Sequence, residues 1–277
     1  MPTLALTNGV IHYLDEGQGN PLILLHANPG DSRDFTAVIP ALAQHFRVLA
    51  LDWPGYGSSW VPRPEQMHND FLISILREFI TALKLPPVTI IGNSMGGHTA
   101  ARLAIESPER VQCLVLVSPG GFTPPGMIAS AFCKLQSSRF SLPPSLFARL
   151  YVGRRNATIN AMLARAKGMQ SEPARIAINR ALWRYISKPE YLLLETAKVI
   201  TVPTLLMFGE TDPVISAKKD GRAARNTLKN AEFAVLAAGH APFAETPELF
   251  LNTVIPFLTK FAEEPAPKKS RKAEFCA

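Results

Sequence analysis

The chain has 277 residues, of which 47% are hydrophobic and 18% charged, and it carries a net charge of +7. That length holds one large core, or a core plus an inserted domain, and the apolar fraction predicts a folded, soluble protein instead of a disordered one. No run of about eighteen apolar residues occurs, so no transmembrane segment is expected.

Residues Leu4 to Leu14 read as an antiparallel hairpin at one edge of a sheet. Leu22-Ile23-Leu24-Leu25 reads as a buried strand, Phe35 to His45 as a helix, and Arg47-Val48-Leu49-Ala50-Leu51 as a further strand. A helix over Asp70 to Leu83 precedes the strand Val88-Thr89-Ile90-Ile91. A helical run from Met95 to Glu106 then leads to the strand Val111 to Val117. Short continuous apolar runs bounded by turn residues suit parallel strands covered on both faces. Their alternation with helices predicts a doubly wound sheet with right-handed crossovers.

After Ser118-Pro119-Gly120-Gly121 the pattern changes. From Phe122 to Val199 no buried strand is legible, and prolines at 124, 125, 143, 144, 173 and 189 divide a helical periodicity into short pieces. Strands return at Thr204-Leu205-Leu206-Met207-Phe208 and Phe233-Ala234-Val235-Leu236, and a helix over Pro247 to Phe261 closes the fold. The expected organisation is an α/β core over 1–119 and 200–262 and a helical insertion over 120–199, long enough to be a lid. A basic tail over 263–277, with Lys268-Lys269-Ser270-Arg271-Lys272, is expected to be disordered. The charge is uneven. Between Gly120 and Val199 twelve Lys or Arg face three acids, a net +9, which leaves −2 for the rest. Solvated basic helix faces explain this, and so does attraction of an acidic substrate, an acidic carrier protein or an anionic membrane surface.

The N-terminal residues Met1-Pro2-Thr3-Leu4-Ala5-Leu6 lack the stretches of a secretion signal. Cys113, Cys133 and Cys276 are an odd number without metal spacing. Reduced thiols in a cytoplasmic setting are expected, with Cys113 a small buried hydrophobe.

Gly92-Asn93-Ser94-Met95-Gly96 fits G-x-S-x-G, and it stands between a strand and a helix. A serine on such a sharp turn is lifted off the sheet, and its neighbours must be small because the two backbones nearly touch. Gly92, Gly96 and Gly97 meet that demand. A serine hydroxyl needs a base within reach, and the base needs a carboxylate to orient it. His240 follows the last strand, in Ala238-Gly239-His240-Ala241-Pro242, and Asp212 follows the strand before it, in Phe208-Gly209-Glu210-Thr211-Asp212. The ends of parallel strands open onto one edge, so Ser94, Asp212 and His240 are expected to converge there.

These motifs, with Leu25-His26-Ala27-Asn28-Pro29-Gly30 and Asp52-Trp53-Pro54-Gly55-Tyr56-Gly57-Ser58-Ser59, make the chain resemble an α/β-hydrolase with a helical cap from about Gly9 to Phe261. That group includes esterases, C–C bond hydrolases, epoxide hydrolases and haloalkane dehalogenases. The resemblance implies a mostly parallel eight-stranded sheet and roles for individual residues. Ser94 resembles the nucleophile, His240 the general base and then acid, and Asp212 the orienting carboxylate. The oxyanion hole is implied at the backbone N–H of Met95 and of Asn28, or of Ala27 in a shifted register. The chain departs from the family pattern at His26-Ala27, where His-Gly is usual, and alanine adopts positive φ less readily than glycine. Epoxide hydrolases and dehalogenases carry aspartate at the elbow. Serine here implies an acyl-enzyme and a carbonyl substrate.

Other residues have plainer readings. His26 is expected to brace the oxyanion loop, His98 to be structural on the helix after Ser94, and Asp52 to order its own turn. Cys133 and Met127 read as core of the helical insertion. Met127, Phe132, Phe140, Leu146, Trp183 and Tyr185 are candidates for the substrate lining. The expected function is a cofactor-free serine hydrolase acting on a carboxylic ester or related small-molecule acyl compound, with an anionic or carrier-bound acyl group as one option. C–C bond hydrolysis of a vinylogous diketo acid and acyl transfer are alternatives, as is a non-enzymatic ligand receptor on the same scaffold. No metal and no nucleic-acid partner are expected, and the chain is read as a monomer or homodimer.

Overall fold

The computed structural model describes residues 1–262; the expected basic tail, with Cys276, lies outside the described residues. In chain order the elements are β1 (Thr3–Leu6), β2 (Gly9–Glu16), β3 (Pro21–Leu25), α1 (Ile39–Leu42), β4 (Arg47–Leu51), α2 (Asn69–Ala82), β5 (Val88–Asn93), α3 (Met95–Glu106) and β6 (Val111–Val117). Then come α4 (Met127–Gln136), α5 (Pro144–Tyr151), α6 (Ala157–Met169), α7 (Pro173–Ile186), β7 (Thr204–Gly209), α8 (Arg222–Thr227), β8 (Glu232–Leu236), α9 (Pro242–Glu245) and α10 (Pro247–Ala262).

The eight strands form one sheet in the order β1-β2-β4-β3-β5-β6-β7-β8. The first hairpin is antiparallel and joins β4 antiparallel, while every pairing from β4 to β8 is parallel. The central strands β3 and β5 are buried along their whole length, which is why they read as short, mainly apolar runs. Helices cover both faces and give two apolar layers. One joins Ile23, Leu25, Ile90 and Leu116 to α2 and α3. The other joins Leu24, Ile91, Val115 and Met207 to α10.

The helix expected over Phe35 to His45 is not continuous. A 3-10 turn, Ser32–Phe35, is followed by the four-residue α1, with Pro40 inside its first turn. A proline there has no N–H to extend a longer helix backward. Between β6 and β7 lie α4 to α7, and Pro144 and Pro173 each sit in the first turn of a helix, where a missing N–H costs nothing. Cys113 and Cys133 are buried free thiols, and burial pushes the Cys113 thiol up to about 12. No helix among the described residues is long and apolar enough to cross a membrane.

Candidate active site

Strand β5 ends at Asn93 and α3 begins at Met95, so Ser94 alone makes the turn, at φ 53° and ψ −110°. This is a backbone conformation that costs a non-glycine residue about 1–3 kcal/mol and persists only where its surroundings enforce it. The Ser94 N–H donates to the Val117 carbonyl (2.9 Å), and the Ser94 carbonyl accepts from the His98 N–H (2.9 Å). The close approach requires glycines. A Cβ on Gly92 would lie 2.5 Å from the Gly96 carbonyl oxygen, and one on Gly96 would lie 2.3 Å from the Leu25 carbonyl oxygen.

On the same edge of the sheet, the loops after β7 and β8 bring Asp212 and His240 together. His240 Nδ1 lies 2.6 Å from Asp212 Oδ2. The other carboxylate oxygen accepts from the backbone N–H groups of Val214 (2.8 Å) and Ile215 (3.0 Å). Burial pushes the Asp212 carboxyl up, but His240 and these N–H groups outweigh it and hold the group below its ordinary value. An ionised Asp212 needs a proton on Nδ1, which leaves Nε2 of the neutral ring as a proton acceptor.

Among the described residues no hydrogen bond joins the Ser94 hydroxyl to the His240 ring. The two segments meet through Asn93, whose Nδ2 donates to the carbonyls of Val117 (3.1 Å) and His240 (3.0 Å). Tyr151 at the end of α5 stands beside the histidine, with ring centroids 5.3 Å apart, and its hydroxyl donates to the Pro29 carbonyl (3.2 Å). It thereby links the His240 loop to the 26–30 loop.

That loop is braced from below. The Trp53 N–H donates to His26 Nε2 (3.1 Å), so the ring proton sits on Nδ1 and donates to the Ala27 carbonyl (2.7 Å). Burial lowers the His26 pKa, consistent with a neutral brace. Asp52 accepts from the N–H groups of Ser58 and Ser32, both at 2.8 Å, and so orders its own turn and anchors the neighbouring loop. Ala27 has no positive φ, so the departure from His-Gly costs no backbone strain here. Asn28 is buried; its Oδ1 accepts from the Tyr56 hydroxyl (2.9 Å), and its Nδ2 has no partner among the described residues. No hydrogen bond within the described residues engages the N–H of Met95 or of Asn28.

The geometry is that of a known family. A family model described as alpha/beta hydrolase fold matches residues 20–247. The chain belongs to the alpha/beta hydrolase family. It is 27% identical to a 2-hydroxy-6-oxo-6-(2'-aminophenyl)hexa-2,4-dienoic acid hydrolase from Metapseudomonas resinovorans, over 91% of this chain and 88% of that protein. It is 28% identical to a pimeloyl-[acyl-carrier protein] methyl ester esterase from Legionella pneumophila, over 90% of this chain and 99% of the relative. The crystal structure of an enol-lactonase from Burkholderia xenovorans shares the fold, with a TM-score of 0.77 at 21% identity, covering 93% of this chain and all of that one.

In this alpha/beta hydrolase the expected lining residues separate into two groups. Phe132 and Trp183 pack edge-to-face (5.6 Å), and Phe147 bridges Trp183 (5.1 Å) to Tyr151 (5.3 Å), so an aromatic row runs from α4 to His240. Met127 and Phe140 are instead 91% and 68% exposed, and Leu146 is exposed as well. Met127 opens α4, whose buried positions are Cys133 and Gln136, so Met127 is not core either. Tyr185 lines a separate cavity of about 490 Å³ with His68, Arg102 and Lys188. A smaller cavity of about 150 Å³ lies against Pro29 and Gly30 under α6, and neither Ser94 nor His240 lines it.

His98 is a brace: it stacks on Tyr191 (3.9 Å, 11° between planes), its Nε2 lies 2.8 Å from the Tyr191 carbonyl, and burial pushes its pKa down to about 3. Glu245 escapes a sequence reading. Its buried carboxylate accepts from Gly153 (2.8 Å), Arg154 (2.9 Å), Gly239 (2.9 Å) and Ala241 (3.2 Å), clasping the α5–α6 linker to the loop that carries His240. The available signal was a lone carboxylate at the end of the segment from Ala237 to Ala244, in which His240 is the only other polar side chain.

Proposed function

We propose that the protein is a serine hydrolase that cleaves a carboxylic ester or related acyl compound through an acyl-enzyme. The observation that carries this reading is the buried Asp212–His240 pair, 2.6 Å apart, on the sheet edge where Ser94 is held at positive φ. Ser94 Oγ attacks the acyl carbon and its proton passes to His240 Nε2. The bond from the acyl carbon to the alcohol oxygen breaks, and the imidazolium returns the proton to the leaving alcohol. Water, deprotonated by the same Nε2, then attacks the acyl carbon; the bond to Ser94 Oγ breaks, the imidazolium returns the proton to Oγ, and the acid leaves. Asp212 holds the tautomer and stabilises the imidazolium.

The free N–H groups of Met95 and Asn28 are the oxyanion donors, Met95 adding the favourable end of the α3 dipole. The Ser94–His240 hydrogen bond forms when substrate fills the site, since such contacts are often long in an empty enzyme. The 120–199 segment acts as a cap, and Trp183 and Phe132 face the acyl side. The net +9 of that segment favours an anionic or carrier-bound acyl group, and the relative from Legionella acts on an acyl-carrier-protein ester.

A second reading is C–C bond hydrolysis, favoured by the Metapseudomonas relative, which matches along 91% of this chain. A panel of p-nitrophenyl esters, lactones and vinylogous diketo acids separates the two. Ester turnover that falls about a millionfold in Ser94→Ala supports the proposal. Turnover that survives the substitution refutes it.

A further inference from the structure

Exposed large apolar side chains are concentrated on one part of this molecule. Of fourteen among the described residues, six lie between positions 127 and 150: Met127, Ile128, Leu135, Phe140, Leu146 and Leu150. Met127 and Ile128 project almost fully, at 91% and 88% exposure. The inner faces of α4 and α5 both turn to Trp183, since Phe132 and Phe147 each pack edge-to-face on it and lie 5.8 Å from each other. The exposed apolar residues flank that contact, since Ile128 and Leu135 stand four before and three after Phe132, and Leu150 stands three after Phe147. Ile128 and Leu135 lie along α4, and Leu146 and Leu150 along α5, at helical spacing.

The charge of the same stretch has one sign. From Gly120 to Ser171 there is no Asp or Glu, while Lys134, Arg139 and Arg149 interleave with the apolar residues and are exposed. The Arg139 guanidinium lies 4.7 Å from the centre of the Phe140 ring. Among the described residues no ion pair occupies Lys134, Arg139 or Arg149. Apolar tips that protrude among cations without an ion-pair partner, on a stretch of chain that carries no acid, match a surface that is negative at its boundary and apolar beneath it. A second copy of this face would set cation against cation.

We propose that the exposed apolar and basic surface of α4, α5 and the linker between them docks on an anionic lipid surface. Met127, Ile128 and Phe140 enter the headgroup boundary, and Lys134, Arg139 and Arg149 meet lipid phosphates. This inference is independent of the chemistry at Ser94.

The test is co-sedimentation of the full chain with phosphatidylcholine vesicles, with and without phosphatidylglycerol. Binding is expected only to the anionic vesicles, and it should weaken as salt rises. Met127→Ser/Ile128→Ser should lower the partition coefficient at least about tenfold. Lys134→Gln/Arg139→Gln/Arg149→Gln should lower it about a hundredfold, roughly fivefold per cation. Because these side chains are exposed, both variants should melt with the wild type, which separates lost docking from lost folding. No binding to anionic vesicles overturns the proposal. Binding unchanged in both variants also overturns it, because another part of the chain would then hold the lipid. A wild-type dimer that dissociates in Met127→Ser/Ile128→Ser assigns the face to a second copy and overturns it. So does tight binding of poly-glutamate that the apolar substitutions leave intact, which would mark an acidic protein partner.

Discussion

Glu245→Ala tests whether the α5–α6 linker and the His240 loop form one unit. Four backbone N–H groups point at the Glu245 carboxylate, from Gly153 and Arg154 on one side and Gly239 and Ala241 on the other. Gly153 and Arg154 are exposed residues, so water replaces the lost acceptor there. Gly239 and Ala241 are buried, and a buried donor left without a partner costs about 1–3 kcal/mol. Two such donors give about 4 kcal/mol as a central expectation. At about 2–4 °C per kcal/mol for a chain of this size, the melting temperature should fall by roughly 10 °C. Glu245→Gln keeps one acceptor oxygen but turns an NH₂ toward N–H donors, so about half that loss is expected. His240 stands between the two orphaned donors, so ester turnover should drop about tenfold to a hundredfold in kcat, with KM changed less. Thermal melts and steady-state kinetics read both effects. A Glu245→Ala protein that melts with the wild type and keeps its kcat refutes the idea that this carboxylate sets the position of the loop.

Three further outcomes are expected. Asp212→Asn should lower kcat about ten-thousandfold by favouring the wrong tautomer of His240. Asp212 lies below its ordinary value in the folded state, so its ionisation contributes stability above about pH 4 that is lost as pH falls; the variant should therefore lose less melting temperature than the wild type between about pH 6 and pH 3. Gly96→Ala would place a Cβ 2.3 Å from the Leu25 carbonyl oxygen, and a loss of about 3 kcal/mol or more is expected in denaturant titrations. Arg165 on α6 pairs with Asp34 Oδ1 (2.6 Å) and Asp31 Oδ2 (3.0 Å) beside the 26–30 loop. Burial and the Asp31 charge push Asp34 up to about 7, so it is protonated in mild acid and ionised in mild alkali. Arg165→Met should accordingly cost more stability at about pH 8 than at about pH 5.5, and an equal cost at both would contradict the assignment of that proton.

The parts of the fold that were legible are those where one physical demand leaves one kind of residue. Strands β3, β5 and β6 are mainly apolar because helices cover both faces, with Thr89, Asn93 and Gln112 as the exceptions, and such runs read directly. The elbow read directly because carbonyls of Gly96 and Leu25 occupy the space a side chain would need at Gly92 and Gly96. Direction was not legible. Periodicity marks Met127 and Phe140 as apolar, but a short helix joined by proline-rich turns can face either way, and both turned outward. Long-range acceptors were equally hidden. Nothing in the spacing of Glu245 says that Gly153, 92 positions away, will donate to it, nor that Tyr151 will span from the His240 loop to Pro29. The break after Phe35 was readable in principle, since Pro40 sits where a longer helix would need an N–H.

The central claim is that Ser94 becomes a nucleophile because His240, held by Asp212, takes its proton. Reaction of the folded chain with a fluorophosphonate, followed by peptide mapping, measures this directly. One adduct on Ser94 is expected, absent in Ser94→Ala and slowed by orders of magnitude in His240→Ala and Asp212→Asn. An intact wild-type protein that stays unlabelled, or one whose label forms equally fast without the histidine, would contradict it.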